Sequence, residues 1–326
     1  MFNPYPNLPH KVRNYVLKSV LGQGSFAVVY KAVSLFYNTE FAIKVLCHSK
    51  NAEQNSLTYE AEINSLKKLN HPNVIRLYDY FDEDDKLFIV LEYCNGGTLE
   101  DRITRNEEIS FDEKIRICSQ LVSALKYCYD KSVAHQDIKT ANVLFDNNGR
   151  IKIADFGLSG IINHEDNINL HRGTLQYSAP EVCQALSFNP FKSDIWSLGV
   201  LFYRLFTYSY PFEGHTKDEL KKAIINGYYC EKINYDIRKA IDKMLIVNPD
   251  DRISIYKLAQ MKLFDIPVNN PKKPYISSIK IYQFNSMNAG IKRKSCMHLL
   301  SHKDQRLVFR HQSLMHLHKN PPRLLK

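Results

Sequence analysis

The sequence predicts an α+β fold of two lobes, a small five-stranded β lobe with one helix followed by a larger, mainly helical lobe. Two observations predict it. The first ninety residues contain five apolar, β-branched runs and one stretch of helical period, whereas helical periods dominate from residue 98 onward. A strand-rich half followed by a helix-rich half is typical of α+β architectures.

The elements follow one another along the chain. Strands are expected near 14–21, 27–34, 40–47, 74–80 and 86–93, with a helix over 53–69 that His71-Pro72-Asn73 ends. Further helices are expected over 98–104, 111–131, 191–207, 216–225 and 235–245. Short strand-like pieces separated by polar loops are expected between Val133 and Phe156. The pattern weakens after about residue 266, so we expect an N-terminal lead-in (1–13), one large domain (14–264) and a C-terminal extension (265–326).

Composition narrows the class of protein. No apolar run approaches the roughly 20 residues that span a bilayer, so no transmembrane segment is expected. The N-terminus has no apolar segment typical of a secretory signal. The seven cysteines are scattered without a CxxC pair, which favours a reducing compartment over a disulfide framework or a zinc site. We therefore expect a cytoplasmic location, with a nuclear one left open by the basic run 291–294.

The positive charge lies in the C-terminal extension. From residue 268 onward the chain has twelve basic residues and one acidic residue, a net charge of +11 against +10 for the whole chain. The main domain is therefore near neutral, and its overall charge does not indicate nucleic-acid binding. The extension is a solvated tail or a contact for an anionic membrane, a nucleic acid or an acidic protein. A calmodulin-binding helix near 306–317 and an autoinhibitory role are further alternatives, and all of these stay open.

Two features near the N-terminus indicate phosphate binding. Gly22-Gln23-Gly24, preceded by Leu21, lies between two predicted strands, where glycines let a backbone approach phosphates closely. Lys44 ends the otherwise apolar strand Phe41-Ala42-Ile43. Each has an ordinary alternative, a tight turn for the glycines and a snorkelling surface side chain for the lysine.

Three later segments complete a pattern. His135-Gln136-Asp137-Ile138-Lys139-Thr140-Ala141-Asn142, then Asp155-Phe156-Gly157, then Ala179-Pro180-Glu181 follow in this order. Together with the glycines and Lys44 they resemble a eukaryotic protein kinase domain over about residues 14–264. Residues 244–254 and Tyr210-Pro211-Phe212 are similar to the AMP-activated and calcium/calmodulin-dependent kinase group. The resemblance implies the two-lobed protein kinase fold, ATP and Mg²⁺ as cofactors, and proteins as substrates.

The resemblance also implies a role for each catalytic residue. Lys44 is expected to contact the α- and β-phosphates of ATP, held by Glu62, with Glu60 as the competing carboxylate. Asp137 is expected to accept the proton of the substrate hydroxyl, and Lys139 to neutralise the transferring phosphoryl group. Asn142 and Asp155 offer the hard oxygen atoms that Mg²⁺ prefers.

The same resemblance places the nucleotide pocket. Its predicted lining consists of Leu21, Gly22, Gly24, Val29, Ala42, Leu91, Glu92, Cys94 and Leu144. Leu91 matches the gatekeeper position, and Glu92 and Cys94 match the hinge that offers backbone groups to adenine. Plain core packing is the ordinary alternative for the apolar members.

Serine/threonine specificity follows from two matches to the family. Lys139 is the residue of serine/threonine kinases at its position, and Gly173-Thr174-Leu175-Gln176-Tyr177 matches the GT-x-x-Y pattern. Thr174 is expected to bond with Asp137 and Lys139, with a phosphorylation site as the alternative for its hydroxyl.

Several positions depart from the family pattern. Ala27 replaces the third glycine, and Gln136 replaces an arginine that in many kinases receives the phosphate of an activated loop. The middle of the loop, residues 163–167, also lacks a hydroxyl residue. We hypothesise that activity does not require phosphorylation of this loop, which Glu165 or Asp166 holds through other partners. The competing hypothesis is a pseudokinase scaffold that binds ATP or partners without turnover.

Substrate preference can also be predicted. Kinases that select basic substrates typically carry glutamates after the hinge and just before the catalytic asparagine. Thr98 and Ala141 stand at those positions here. We therefore expect weak or absent selection for arginine upstream of the target serine.

Overall fold

A six-stranded antiparallel sheet forms the small lobe of the computed structural model, which describes residues 3–24, 27–47, 52–157, 174–184, 186–229, 233 and 235–264. The strands are β1 (His10–Val12), β2 (Tyr15–Gln23), β3 (Ala27–Ser34), β4 (Glu40–Cys47), β5 (Leu77–Glu83) and β6 (Lys86–Glu92). Their order in the sheet is β1-β2-β3-β4-β6-β5. The two-lobed α+β fold predicted from the sequence is confirmed.

Alternation along β3, and along β4 as far as Val45, decides which side chains face the interior. Val28, Tyr30 and Ala32 of β3 are buried, as are Ile43 and Val45 of β4. Successive side chains of a strand point to opposite faces. Their neighbours in sequence therefore lie on the other face, where the site described below is built.

The helix α1 (Ala52–Lys68) follows β4 and contacts β5. Glu62, Ile63, Ser65 and Leu66 are buried, whereas Glu60 is exposed. Of the two competing carboxylates, only Glu62 therefore faces the interior.

The sheet has one strand more than the sequence predicts. β1 pairs with β2 through a tight turn at Arg13, whose φ is 47°. Tyr5 of the same segment packs beside the ring of Tyr30, and Asn3 accepts a hydrogen bond from the hydroxyl of Tyr30 at 2.7 Å. A three-residue strand in a proline-rich stretch is too short to show a period, so the pattern does not reveal it.

The fourth predicted strand is displaced. The pattern predicts a strand over 74–80, but β5 begins at Leu77, because Val74 instead forms a bridge with Ile153 of the large lobe. β5 runs on to Glu83, and the turn contains only Asp84 and Asp85, both with positive φ. Two such residues form the turn type that suits the twist of a hairpin.

The large lobe is helical around one small hairpin. Its helices are α2 (Leu99–Thr104), α3 (Phe111–Asp130), α4 (Pro180–Cys183), α5 (Pro190–Thr207), α6 (Lys217–Asn226), α7 (Tyr235–Met244) and α8 (Ile255–Ala259), and its strands are β7 (Val143–Phe145) and β8 (Ile151–Ile153). Most of α5 is buried. Within the part of the chain that is described, no helix is long and apolar enough to cross a membrane.

A buried ion pair braces this lobe. Arg252 donates to both carboxylate oxygens of Glu181 at 2.8 and 3.0 Å, and its guanidinium lies 5.2 Å from the ring centroid of Trp196. It also donates to the backbone carbonyls of Lys192, Ile246 and Val247. These bonds satisfy a charge that is otherwise costly to bury.

Candidate active site

A lysine held between two carboxylates lies at the centre of the site. Lys44 of β4 donates to both oxygens of Glu62 at 2.8 and 2.9 Å and to Oδ1 of Asp155 at 3.0 Å. The side chain of Glu62 is 2% exposed, whereas that of Asp155 is 47% exposed. The predicted Lys44–Glu62 pair is therefore formed, and Asp155 offers its carboxylate to the solvent side.

The charges of this group stabilise one another. Burial alone would lower the pKa of Lys44, but Glu62 and Asp155 more than offset it and hold the pKa above its ordinary value. Burial would raise the pKa of Asp155, yet the Lys44 charge outweighs it, so that pKa is lowered. The lysine is thus cationic and Asp155 anionic at neutral pH, as phosphate and metal binding require.

The loop of residues 135–142, which we call the catalytic loop, fixes one oxygen of Asp137. Its Oδ2 receives hydrogen bonds from Lys139 Nζ at 2.6 Å and from Asn142 Nδ2 at 2.9 Å. Asn142 also donates to the backbone carbonyl of Asp137 at 2.8 Å. Oδ1 has no hydrogen-bond partner among the described residues, so the loop leaves one carboxylate oxygen as an available acceptor.

A buried aspartate on α5 holds the backbone of this loop. Asp194 accepts the backbone N–H groups of His135 and Gln136, each at 2.7 Å. Burial raises its pKa to about 7, although these two hydrogen bonds oppose the shift. His135 bonds to the carbonyl of Ala154 at 3.0 Å and packs 4.5 Å from the ring of Phe156. The two motif segments are thereby joined.

Asn142 and Asp155 fit a magnesium site. Because Asn142 donates through Nδ2, its Oδ1 remains without a partner among the described residues. Lys44 donates to Oδ1 of Asp155, so Oδ2 of that carboxylate is also available among the described residues. Two hard oxygen atoms suit Mg²⁺, which usually takes only one or two protein ligands beside water and phosphate. No group of three or more His, Cys, Asp or Glu side chains is placed to hold a metal among the described residues.

The predicted nucleotide-pocket residues share one property. Val29, Ala42, Leu91, Glu92, Cys94 and Leu144 are all only partly buried. Their neighbours Val28, Ile43, Val90 and Val143 are buried. Ala42 and Leu91 are direct partners across β4 and β6. These side chains therefore line an open surface, whereas plain core packing would bury them.

The glycine-rich turn borders the same surface. Leu21 is exposed, and a Cβ at Gly22 would meet no atom within 4 Å. At Gly24 the first contact would be the carbonyl of Ala27 at 3.6 Å, an ordinary distance. Packing within the protein would therefore tolerate a side chain at Gly22 and Gly24. The volume next to these two glycines is open and can accept a ligand.

The predicted hinge offers free backbone groups. The amide and carbonyl of Cys94 have no hydrogen-bond partner among the described residues, whereas Glu92 is engaged through its amide with Arg76 and through its side chain with Lys152 at 2.8 Å. Burial, and next the charge of Glu92, raise the pKa of the Cys94 thiol to about 12. The thiol is therefore unreactive, and Cys94 can contribute through its backbone.

Thr174 does not make its expected contacts. Among the described residues its hydroxyl forms no hydrogen bond with Asp137 or Lys139, and its backbone carbonyl instead accepts from Tyr177 at 2.9 Å. The link between this segment and the catalytic loop is made by Tyr177, whose hydroxyl lies 2.7 Å from Oγ1 of Thr140.

Sequence reasoning missed two charged residues beside the loop. Glu100 of α2 accepts a hydrogen bond from Thr140, and Arg204 of α5 pairs with Glu100. A signal existed for Arg204, since it lies seven residues after Ser197 on an otherwise apolar helix. Glu100 has no distinguishing sequence signal on its short helix.

Several predicted features lie outside the described residues. They are the loop segment 158–173 with Ser159, Glu165 and Asp166, and the C-terminal extension 265–326.

The fold and the site together define a class of protein. A strand lysine fixed by a helix glutamate faces a loop in which an aspartate, a lysine and an asparagine converge, which is the arrangement of a two-lobed phosphotransferase. The model of the protein kinase domain family matches residues 15–264, and the chain belongs to that family.

Curated relatives agree with this assignment. The chain is 36% identical over 255 residues to the human NUAK family SNF1-like kinase 1, covering 78% of this chain and 38% of the relative. It is 34% identical over 254 residues to the rat serine/threonine-protein kinase SIK1, covering 77% and 33%. It is 34% identical over 258 residues to the chicken serine/threonine-protein kinase SIK2, covering 78% and 32%.

The chain thus spans about a third of the length of these relatives. The predicted resemblance to a serine/threonine protein kinase near the AMP-activated group is confirmed.

Proposed function

We propose that this chain transfers the γ-phosphoryl group of ATP to serine or threonine side chains of proteins, with Asp137 as the catalytic base. One observation carries the proposal. Lys139 and Asn142 occupy Oδ2 of Asp137 and leave Oδ1 as the acceptor for a substrate hydroxyl. A base needs a fixed oxygen within hydrogen-bond reach of the proton that it accepts.

The other charged groups have complementary roles. Lys139 stabilises negative charge on the transferring phosphoryl group, and Lys44 binds the α- and β-phosphates while Glu62 fixes its position. Asn142 and Asp155 would hold Mg²⁺, which neutralises charge on the phosphate oxygens. Positioning and charge neutralisation are the main contributions that phosphoryl transfer needs from a protein.

Two features support serine and threonine over tyrosine as acceptors. Lys139 lies beside Asp137, and the contact between Tyr177 and Thr140 holds the segment 174–177 against the catalytic loop. We propose that this arrangement places Thr174 beside the acceptor site, without a direct hydrogen bond to Asp137, and lets a short aliphatic hydroxyl reach Asp137.

The test is phosphorylation of a degenerate peptide library with Mg²⁺-ATP, comparing wild type with Asp137→Asn. The asparagine keeps the shape but removes the base, so we expect the rate to fall by about 10³-fold, within the range of general-base and electrostatic effects. Equal, background-level incorporation by both proteins would instead support the pseudokinase scaffold. Incorporation on tyrosine alone would contradict the acceptor class.

We also propose that activity does not depend on phosphorylation of the loop after Gly157. Gln136 is uncharged, and its Nε2 is buried without a hydrogen-bond partner among the described residues. A neutral amide cannot form the charge-assisted contact that arginine makes with a phosphate. Phosphatase-treated protein should therefore retain its rate. Loss of most activity, restored by phosphorylating the loop, would refute this proposal.

Selection of arginine upstream of the target serine is proposed to be weak. Ala141 is exposed and uncharged. The hydroxyl of Thr98 is engaged in capping α2, donating to Asp101 at 2.7 Å and accepting its amide at 2.9 Å. The same peptide library tests this, and a strong arginine preference in wild type would contradict it.

For the whole chain we propose a cytoplasmic location and an anionic partner for the basic extension. The scattered cysteines support the location, and the concentration of positive charge after residue 268 supports the partner. Fluorescent fusions of the full chain and of a variant lacking 265–326 can be compared in cells. Identical distributions, together with equal binding to anionic vesicles and to nucleic acid, would leave the extension as a solvated tail.

A further inference from the structure

A carboxylate that the proposed mechanism does not use lies beside the catalytic loop. Glu100 of α2 accepts a hydrogen bond from Oγ1 of Thr140, the residue directly after Lys139. The same Thr140 hydroxyl contacts Tyr177. Glu100 is thus located where the catalytic loop meets the segment 174–177, and its side chain is 32% exposed. A substrate hydroxyl that reaches Asp137 brings its flanking residues close to this position.

Arg204 of the same chain forms an ion pair with the carboxylate of Glu100. Its Nη2 donates to Oε1 of Glu100, and its guanidinium carbon lies 4.0 Å from the ring centroid of Tyr210. The arginine side chain is 10% exposed. An exposed carboxylate would attract cations from peptide substrates, but here an internal cation is already bound to it.

The cost of this arrangement indicates a function other than stability. Nε and Nη1 of Arg204 are buried, and neither has a hydrogen-bond partner among the described residues. Buried donors without acceptors destabilise a fold, and the ring of Tyr210 compensates only in part. The buried Arg252 differs, since its guanidinium reaches four acceptor groups.

We infer that Arg204 is a specificity-determining residue, which neutralises Glu100 and thereby prevents that carboxylate from selecting a basic side chain near the phosphoacceptor. The inference rests on the proposed function, because it requires a peptide aligned at Asp137. It extends the expectation drawn from Thr98 and Ala141. Those positions lack an acceptor for arginine, whereas Glu100 is an acceptor that is present but already occupied.

The experiment measures kcat/KM for matched peptides that carry arginine or alanine at each position around the target serine. In Arg204→Met the freed carboxylate should raise the arginine-to-alanine ratio about tenfold at one position, the lower range for a hydrogen bond to a charged group. The double variant Arg204→Met/Glu100→Gln should return to the wild-type ratio. Arg204→Lys keeps a cation beside Glu100 and should also keep the wild-type ratio.

Arg102→Met is the matched control. Arg102 is also partly buried and is bound to two carboxylates, Glu107 and Glu113, but it does not contact Thr140 or Glu100. Arg102→Met removes one positive charge, as Arg204→Met does, but it does not free Glu100. The arginine-to-alanine ratio should therefore stay unchanged. A similar gain in this control would show a long-range charge effect and overturn the inference, as would a gain in Arg204→Met that persists in the double variant.

A purely structural role for Arg204 predicts a different result. Arg204→Met would then lower kcat/KM for every peptide by the same factor, with an unchanged ratio, and the inference would be wrong. If Arg204→Met does not fold, Glu100→Gln decides: a neutralised carboxylate predicts an unchanged ratio, whereas a fall for arginine peptides shows that Glu100 already selects them. Absence of any phosphorylation by wild type would instead refute the proposed function.

Discussion

The pair between Lys44 and Glu62 allows a quantitative test of the site. Glu62→Gln keeps the size of the side chain and one acceptor oxygen, but it removes the charge that lies 2.8 Å from Lys44 Nζ. At an effective dielectric constant of about 20 the direct attraction is about 6 kcal/mol. Most of this attraction offsets the cost of desolvating Lys44 and Glu62. The free energy of unfolding of Glu62→Gln should therefore be about 2–3 kcal/mol lower than that of wild type.

Two assays measure the effect of Glu62→Gln. The stability loss corresponds to a decrease in Tm of about 5–10 °C for a domain of this size. A displaced Lys44 should also reduce kcat/KM for ATP about 10²-fold, because small misplacements of a positioning group have effects of that order. The control is Glu60→Gln, an exposed carboxylate two residues earlier on α1. Equal effects of the two substitutions, or a larger effect at Glu60, would refute the assignment.

Three further predictions concern pH and packing. Burial, and next the charge of Lys152, lower the pKa of His71 to about 4, so protonation favours the unfolded state and stability should fall as pH decreases from about 6.5 to 4. Because His71 is only partly buried, the loss should be about 1–2 kcal/mol, and urea unfolding of His71→Gln should show a flatter pH dependence. Gly157→Ala places a Cβ 3.3 Å from Oδ1 of Asp155, so kcat should fall several-fold with little change in Tm. Gly199→Ala places a Cβ 2.9 Å from Leu245, so unfolding should cost about 1–3 kcal/mol less at unchanged KM for ATP. Unaltered pH profiles, kcat or Tm, respectively, would contradict these expectations.

One part of the site that the sequence predicted is formed by neighbours in the chain. Asp137, Lys139 and Asn142 lie within six residues, so a short loop necessarily brings them together. Glu62 required more, because Glu60 has the same chemistry and only burial on α1 separates them. The family register favours Glu62, which is the carboxylate that the structure places beside Lys44.

The features that sequence reasoning missed depend on contacts between distant elements. Glu100 and Arg204 are 104 residues apart and meet only after α2 and α5 have packed. β1 forms because β2 offers an edge, since three residues carry no period of their own. The position of Thr174 likewise depends on how the segment 174–177, which the contact between Tyr177 and Thr140 holds in place, packs against the catalytic loop.

Helix α5 connects these observations. Asp194, Ser197 and Arg204 follow at spacings of three and seven residues, which place them on one face of an otherwise apolar helix. Asp194 holds the catalytic loop, Ser197 donates to the carbonyl of Tyr177 at 2.8 Å, and Arg204 binds Glu100. One rigid element therefore supports the base, the segment 174–177 and the carboxylate on α2. Because separate residues make these contacts, a change at Arg204 can alter substrate choice while Asp194 keeps Asp137 in place.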